Sequence, residues 1–139
     1  MQTITPYLLY EDVPAALDWL AKAFGFEEVL RFESESGEVN HAEMRHGGES
    51  IYLGDPGGGY RNPKSLGTRT SLVHVYVDDV DAHYERARAA GAQIELEPAD
   101  QPYGDRRYDA YDLEGQLWSF ATRGRQVPPE EWGAEVKGA

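Results

Sequence analysis

The segment TPYLLYEDVPAALDWLAKAFGF at residues 5–26 returns 67 positions later as LVHVYVDDVDAHYERARAAGA at 72–92. Thr5 matches Leu72, Tyr7 matches His74, Leu9 matches Tyr76 and Asp12 matches Asp79. Each copy reads as a short strand, an acidic turn and an amphipathic helix stopped by a glycine, Gly25 or Gly91. Those glycines lie 66 apart rather than 67, which predicts one extra residue in the first helix. Val13, Leu17, Leu20 and Phe24, at spacings of 4, 3 and 4, give that helix one apolar stripe.

Three strand-like stretches follow each helix. In the first half they are 27–33, 39–45 and 50–54, and in the second 93–97, 106–111 and 116–122. Glycine-containing turns, HGGE at 46–49 and DLEG at 112–115, join the final pair in each half. The order is therefore βαβββ twice: module one at 3–54, a Gly/Pro/Asn-rich linker at 55–69, and module two at 70–123. This predicts a single α+β domain over 1–124, two half-barrel modules forming an open, curved mixed sheet with helices outside. A ferredoxin-like dimerisation domain is the alternative, and three strands after each helix fit it poorly. The tail at 125–139 lies beyond the repeat. There Pro128-Pro129 and EEWG predict a helical turn anchoring Trp132 on the body or a second subunit, with the last few residues disordered.

Charge narrows the partners. Asp and Glu number 25 against 13 Lys and Arg, a formal charge of −12, which repels nucleic-acid phosphates and anionic membranes. The one compact basic pair, Arg106-Arg107, is flanked by Asp105 and Asp109. No apolar run approaches the ~20 residues needed to cross a bilayer, and the N-terminus lacks the pattern of a secretion signal. With no cysteine, any metal ligand must be His, Asp or Glu. The expectation is a cytoplasmic protein with no nucleic-acid or membrane partner.

TPYLLYEDVPAALDWLAKAFGF, HAEM (41–44), QPYGDRR (101–107) and DLEGQLWSF (112–120) together resemble the vicinal oxygen chelate superfamily. That group comprises glyoxalase I, extradiol dioxygenases and bleomycin-resistance-type binding proteins, and the nearest likeness is to small PhnB-like or bleomycin-resistance-like members. The resemblance covers about residues 3–123 and implies the glyoxalase/bleomycin-resistance fold, commonly as a homodimer. It also implies a divalent cation held by first-strand and last-strand ligands of each module. By the family's turn anchors those positions fall on Thr5, Tyr52, Leu72 and Ser119. Leucine has no donor, and neutral hydroxyls replace imidazole and carboxylate poorly. The expectation is no metal and no other cofactor.

His74 invites a metal reading, yet the family position is Leu72. Alternation places Leu72, His74 and Tyr76 toward the cup and Val73, Val75 and Val77 under the helices. His74 is then a hydrogen-bonded histidine at the cup mouth or in a subunit contact, a ligand-contacting or proton-transferring group, or a metal ligand. His41 and Glu43 share a strand face and are candidates for general acid–base work. Their alternative is a solvated face, and convergence with His74 would make a non-standard metal site. Tyr103 can stack on a flat group, and Arg106 or Arg107 can bind a carboxylate or phosphate; alternatively these arginines pair with local aspartates. Gly104 lets backbone approach closely. The candidate ligand-binding set is Tyr7, Tyr52, His74, Tyr76, Tyr103, Arg106 and Arg107.

Two functional readings follow. The first is a metal-independent protein that sequesters a flat or cationic antibiotic or metabolite. The second is a lyase or isomerase of glyoxalase type using His41, Glu43 and His74, with or without a divalent metal.

Overall fold

The computed structural model describes residues 1–138. The disorder expected of the last few residues lies, for Ala139, outside the described residues. Two four-stranded mixed sheets form the body. The first holds β1 (Tyr7–Leu9), β2 (Glu27–Glu33), β3 (Val39–His46) and β4 (Glu49–Gly54), in the order β1-β4-β3-β2. The second holds β5 (Leu72–Tyr76), β6 (Gln93–Asp100), β7 (Arg106–Tyr111) and β8 (Leu117–Thr122), in the order β5-β8-β7-β6. In each, the first and last strands run parallel and the other pairs antiparallel. The duplicated βαβββ order expected from the repeat is present as an α+β fold.

Helices α1 (Val13–Phe24) and α3 (Val80–Ala89) start at repeat-equivalent positions because both are capped alike. The Asp12 carboxylate accepts from the Ala15 N–H, and Asp79 accepts from Ala82. Their lengths differ by two residues, not one. Gly25 caps α1 directly in the left-handed region, whereas Ala90 ends α3 and Gly91 follows with positive φ. The linker also holds a short helix, α2 (Pro63–Leu66), that composition did not reveal.

The apolar stripe of α1 is buried between the sheets' helix-covered faces. Phe24 packs 4.6 Å from Phe120 and 5.6 Å from Trp118, ring centre to ring centre. Ala42, Met44, Leu53, Tyr108, Ala110, Trp118 and Phe120 complete this core, with Val73, Val75 and Val77 against it. Trp19, half-buried, meets Phe24 edge-on. Side-chain bonds also link the two modules. Gln116 Nε2 donates to the Leu9 carbonyl, and His46 Nε2 to the Tyr76 carbonyl.

The DLEG turn is the polar centre of this packing. Asp112 and Glu114 are both buried. Asp112 accepts from the Tyr10 hydroxyl, Trp118 Nε1 and the backbone N–H groups of Glu114 and Gln116. Glu114 accepts from the backbone of Glu11 and Asp12 and from Asn62 Nδ2. Two carboxylates of module two thus hold the strand–helix junction of module one and the linker. Among the described residues, no helix is long and apolar enough to cross a membrane.

Candidate functional site

Strand register draws one continuous row across the helix-free face of each sheet. In the first, Tyr7 pairs with Tyr52, Tyr52 with Glu43, and Glu43 with Leu30. In the second, His74 pairs with Ser119, Ser119 with Asp109, and Asp109 with Leu96. Corresponding members lie 67 or 66 residues apart, and a register shift precedes Leu30 and Leu96 alike. The duplication is therefore preserved at the level of individual side chains. Each row carries a ring on the first strand, a hydroxyl on the last, a carboxylate on the third and an exposed leucine at the rim.

Beside the first row, His41 bonds in both directions. Its Nε2 lies 3.1 Å from Glu43 Oε2, and its Nδ1 lies 2.7 Å from the Tyr7 hydroxyl. A carboxylate can only accept, so Nε2 carries the hydrogen and Nδ1 accepts from Tyr7. Tyr52 stands edge-on to both rings, at 5.6 Å from Tyr7 and 5.5 Å from His41. Gly54 makes room for the Tyr7 ring, since a Cβ there would come within 2.8 Å of Tyr7 Cε1.

The second row is charged differently. Arg107, at the position equivalent to His41, donates through Nε and Nη2 to both oxygens of Asp109, each at 3.0 Å. This bond, followed by that to Tyr103, raises the guanidinium above its usual range. His74 Nδ1 lies 3.1 Å from Ser119 Oγ. Partial burial, and after it the positive charge of Arg107, pulls the His74 imidazole below its usual range. Tyr76 donates to Asp105 at 2.7 Å, which raises its phenol. The Arg123 guanidinium lies 3.6 Å above the Tyr76 ring. A recess of about 380 Å³ opens beside these groups between the two modules, lined among others by Ile4, Pro6, His46, His74, Tyr76 and Arg123.

The sequence candidates separate into three places. Tyr7, Tyr52, His41 and Glu43 come together on the first sheet. His74, Tyr76 and Arg107 lie on the second, and Tyr103, in the turn between β6 and β7, bonds Arg107 and meets Trp132 of the 3₁₀ turn Pro129–Trp132 at 6.0 Å. Arg106 stands apart, bonded to Asp81 and Asp100. Both arginines are thus held by aspartates, as the alternative sequence reading had it. His74 does not join His41 and Glu43. Among the described residues no group of three or more His, Asp or Glu side chains could hold a metal. Gly104 does allow a close approach, but the backbone that approaches is the chain's own. A Cβ there would collide with the Arg125 carbonyl.

Sequence reasoning placed Asp105 and Asp109 only as charges flanking Arg106-Arg107, not as site residues, and overlooked Arg123. Asp109 was within reach, because the 66-residue offset from Glu43 points to it, as it does from His41 to Arg107. Arg123 has no counterpart in the repeat.

Comparison with known proteins agrees with the fold. The chain is 36% identical to TioX from Micromonospora sp. ML1, whose crystal structure superposes with a TM-score of 0.74 over 88% of this chain and 99% of that one. TnmS3, an antibiotic binding protein from Streptomyces sp. CB03234, shares the fold at 20% identity, with a TM-score of 0.70 over 89% of this chain and 98% of that one. An uncharacterized protein of Mycobacterium bovis is 35% identical over 92% of this chain and 88% of its own length. The family model described as Glyoxalase/Bleomycin resistance protein/Dioxygenase superfamily matches residues 3–120. With that match spanning both βαβββ modules, the chain belongs to the glyoxalase/bleomycin resistance protein/dioxygenase superfamily.

Proposed function

We propose that this chain binds a flat or cationic small molecule, an antibiotic or metabolite, without a metal, and acts by sequestering it. The observation that carries this reading is the composition of the two helix-free rows. Tyr7 and Leu30 are exposed in the first row with the Glu43 carboxylate between them, and Leu96 is exposed at the rim of the second. Aromatic faces with nearby carboxylates attract planar cations. The positions that the family uses for metal hold Thr5, Tyr52, Leu72 and Ser119, a poor donor set for a divalent ion. TnmS3, by its name an antibiotic binding protein, lends the same reading support.

The binding unit in this reading is a homodimer. Every residue of β2 is exposed, including Val29, Leu30 and Phe32, and a second copy would cover them. A monomer in light scattering at micromolar concentration overturns that part alone.

The test is thermal unfolding with bleomycin-type cationic aromatic compounds, alongside metal analysis of untagged protein. Ligand at about 100 times its Kd should add about 2.7 kcal/mol and raise Tm by several degrees. Tyr7→Ala and Tyr52→Ala should each remove most of that shift. Near-stoichiometric metal, lost in His41→Ala or Glu43→Ala, would overturn the metal-independent reading and favour the lyase or isomerase.

A further inference from the structure

The Tyr7–His41–Glu43 chain has the order of a nucleophile, a base and a group that orients the base. We propose that it is a nucleophilic relay, with Tyr7 taking acyl groups from activated aryl esters and releasing them to water. His41 is its general base, and Glu43 is a positioning residue. This activity goes beyond ligand binding and stands or falls separately from it.

Three observations carry the assignment. First, both hydrogen bonds suit one tautomer. Nε2–H donates to Glu43 at 3.1 Å, leaving the Nδ1 lone pair free to accept the Tyr7 proton across 2.7 Å. Second, the phenol is both fixed and accessible. Its ring is seated over Gly54 and flanked by Tyr52, yet Tyr7 keeps 52% of its surface exposed. Third, the duplicated half supplies a contrast within the molecule. At the equivalent positions Arg107 and Asp109 form a two-pronged ion pair, and an arginine cannot act as a base at neutral pH. Only the first half keeps a proton acceptor between its ring and its carboxylate.

The chemistry balances with water as the sole co-reactant. The Tyr7 oxygen attacks the ester carbonyl carbon while its proton passes to His41 Nδ1, and Nε2–H stays on Glu43. Collapse breaks the carbonyl–aryloxide bond, and the leaving aryloxide takes the proton back from His41. Water then attacks the acyl-tyrosine with His41 again accepting a proton, which restores the phenol and frees the carboxylic acid. One ester and one water give one acid and one phenol, with no change of oxidation state.

The test uses the full chain with p-nitrophenyl acetate, following p-nitrophenolate release and mapping acetyl groups by peptide mass spectrometry. Tyr60 is the internal reference, because it is more exposed than Tyr7, at 72%. We expect a burst of p-nitrophenolate and acetylation of Tyr7 ahead of Tyr60. His41→Gln should lower the Tyr7-to-Tyr60 ratio by about 10². Glu43→Gln, which still accepts from Nε2–H but carries no charge, should lower it with Tm unchanged. Gly54→Ala should lower it with His41 and Glu43 intact, because the new methyl displaces the ring. Acetylation of Tyr7 no faster than Tyr60, or a ratio unmoved by His41→Gln, overturns the relay. Neither result touches the ligand-induced thermal shift.

Discussion

Asp112→Ala will cost about 3–5 kcal/mol of stability, because several donors each lose a charged acceptor at about 1–3 kcal/mol apiece. Four donors converge on this carboxylate: the Tyr10 hydroxyl, Trp118 Nε1 and the N–H groups of Glu114 and Gln116. Removing the acceptor leaves them unpaired in a largely buried turn. It also loosens the turn that presents Glu114 to the start of α1, so the loss falls between the modules. Burial pushes the Asp112 carboxyl above its usual range, while these donors pull it back. Asp112→Asn keeps one acceptor oxygen and should lose clearly less than Ala. Urea unfolding of the three proteins measures both differences. Equal midpoints for wild type and Asp112→Ala would show that the turn does not hold the modules together.

Between pH 6.5 and pH 4 the protein should lose about 3 kcal/mol through His83 alone, an order-of-magnitude figure from its displacement below the ordinary imidazole value. His83 Nε2 donates to the Phe24 carbonyl at 2.9 Å, and Nδ1 lies 2.6 Å from the Tyr108 hydroxyl, which therefore donates to it. Phe24 and Phe120 flank the ring at 6.0 Å and 4.2 Å. Burial among them is the main cause that lowers the imidazole from 6.5 to about 4. The unfolded chain takes up this proton near pH 6.5 and the folded one only near 4. The contribution is therefore complete above pH 6.5 and lost as pH falls toward 4. His83→Gln supplies the same donor and acceptor without a titration. Its stability should lack this acid-side loss, so the wild-type minus variant difference isolates the histidine. Parallel acid profiles for the two proteins would refute the assignment.

Much of the fold is legible in the sequence because the duplication carries its own register. Strand alternation puts Val73, Val75 and Val77 toward the helices and His74 on the other face, and the structure does the same. Trp118 and Phe120 are core for the same reason. The site is less legible. His41 and Glu43 are adjacent on one strand, so their pairing follows from local spacing. Tyr7 lies on a different strand, and it reaches His41 only because β4 brings β1 beside β3.

The sequence by itself determined the two βαβββ modules, their capped helices and which faces of β5 and β8 pack under the helices. These depend on periodicity and on contacts within a few residues. Only the tertiary structure decided that Asp112 and Glu114 join the modules, that His83 is neutral between two phenylalanines, and that His41 serves Tyr7 while Arg107 is committed to Asp109. Those outcomes depend on which side chains meet across strands and modules, where low local polarity and hydrogen-bond direction fix each group's charge.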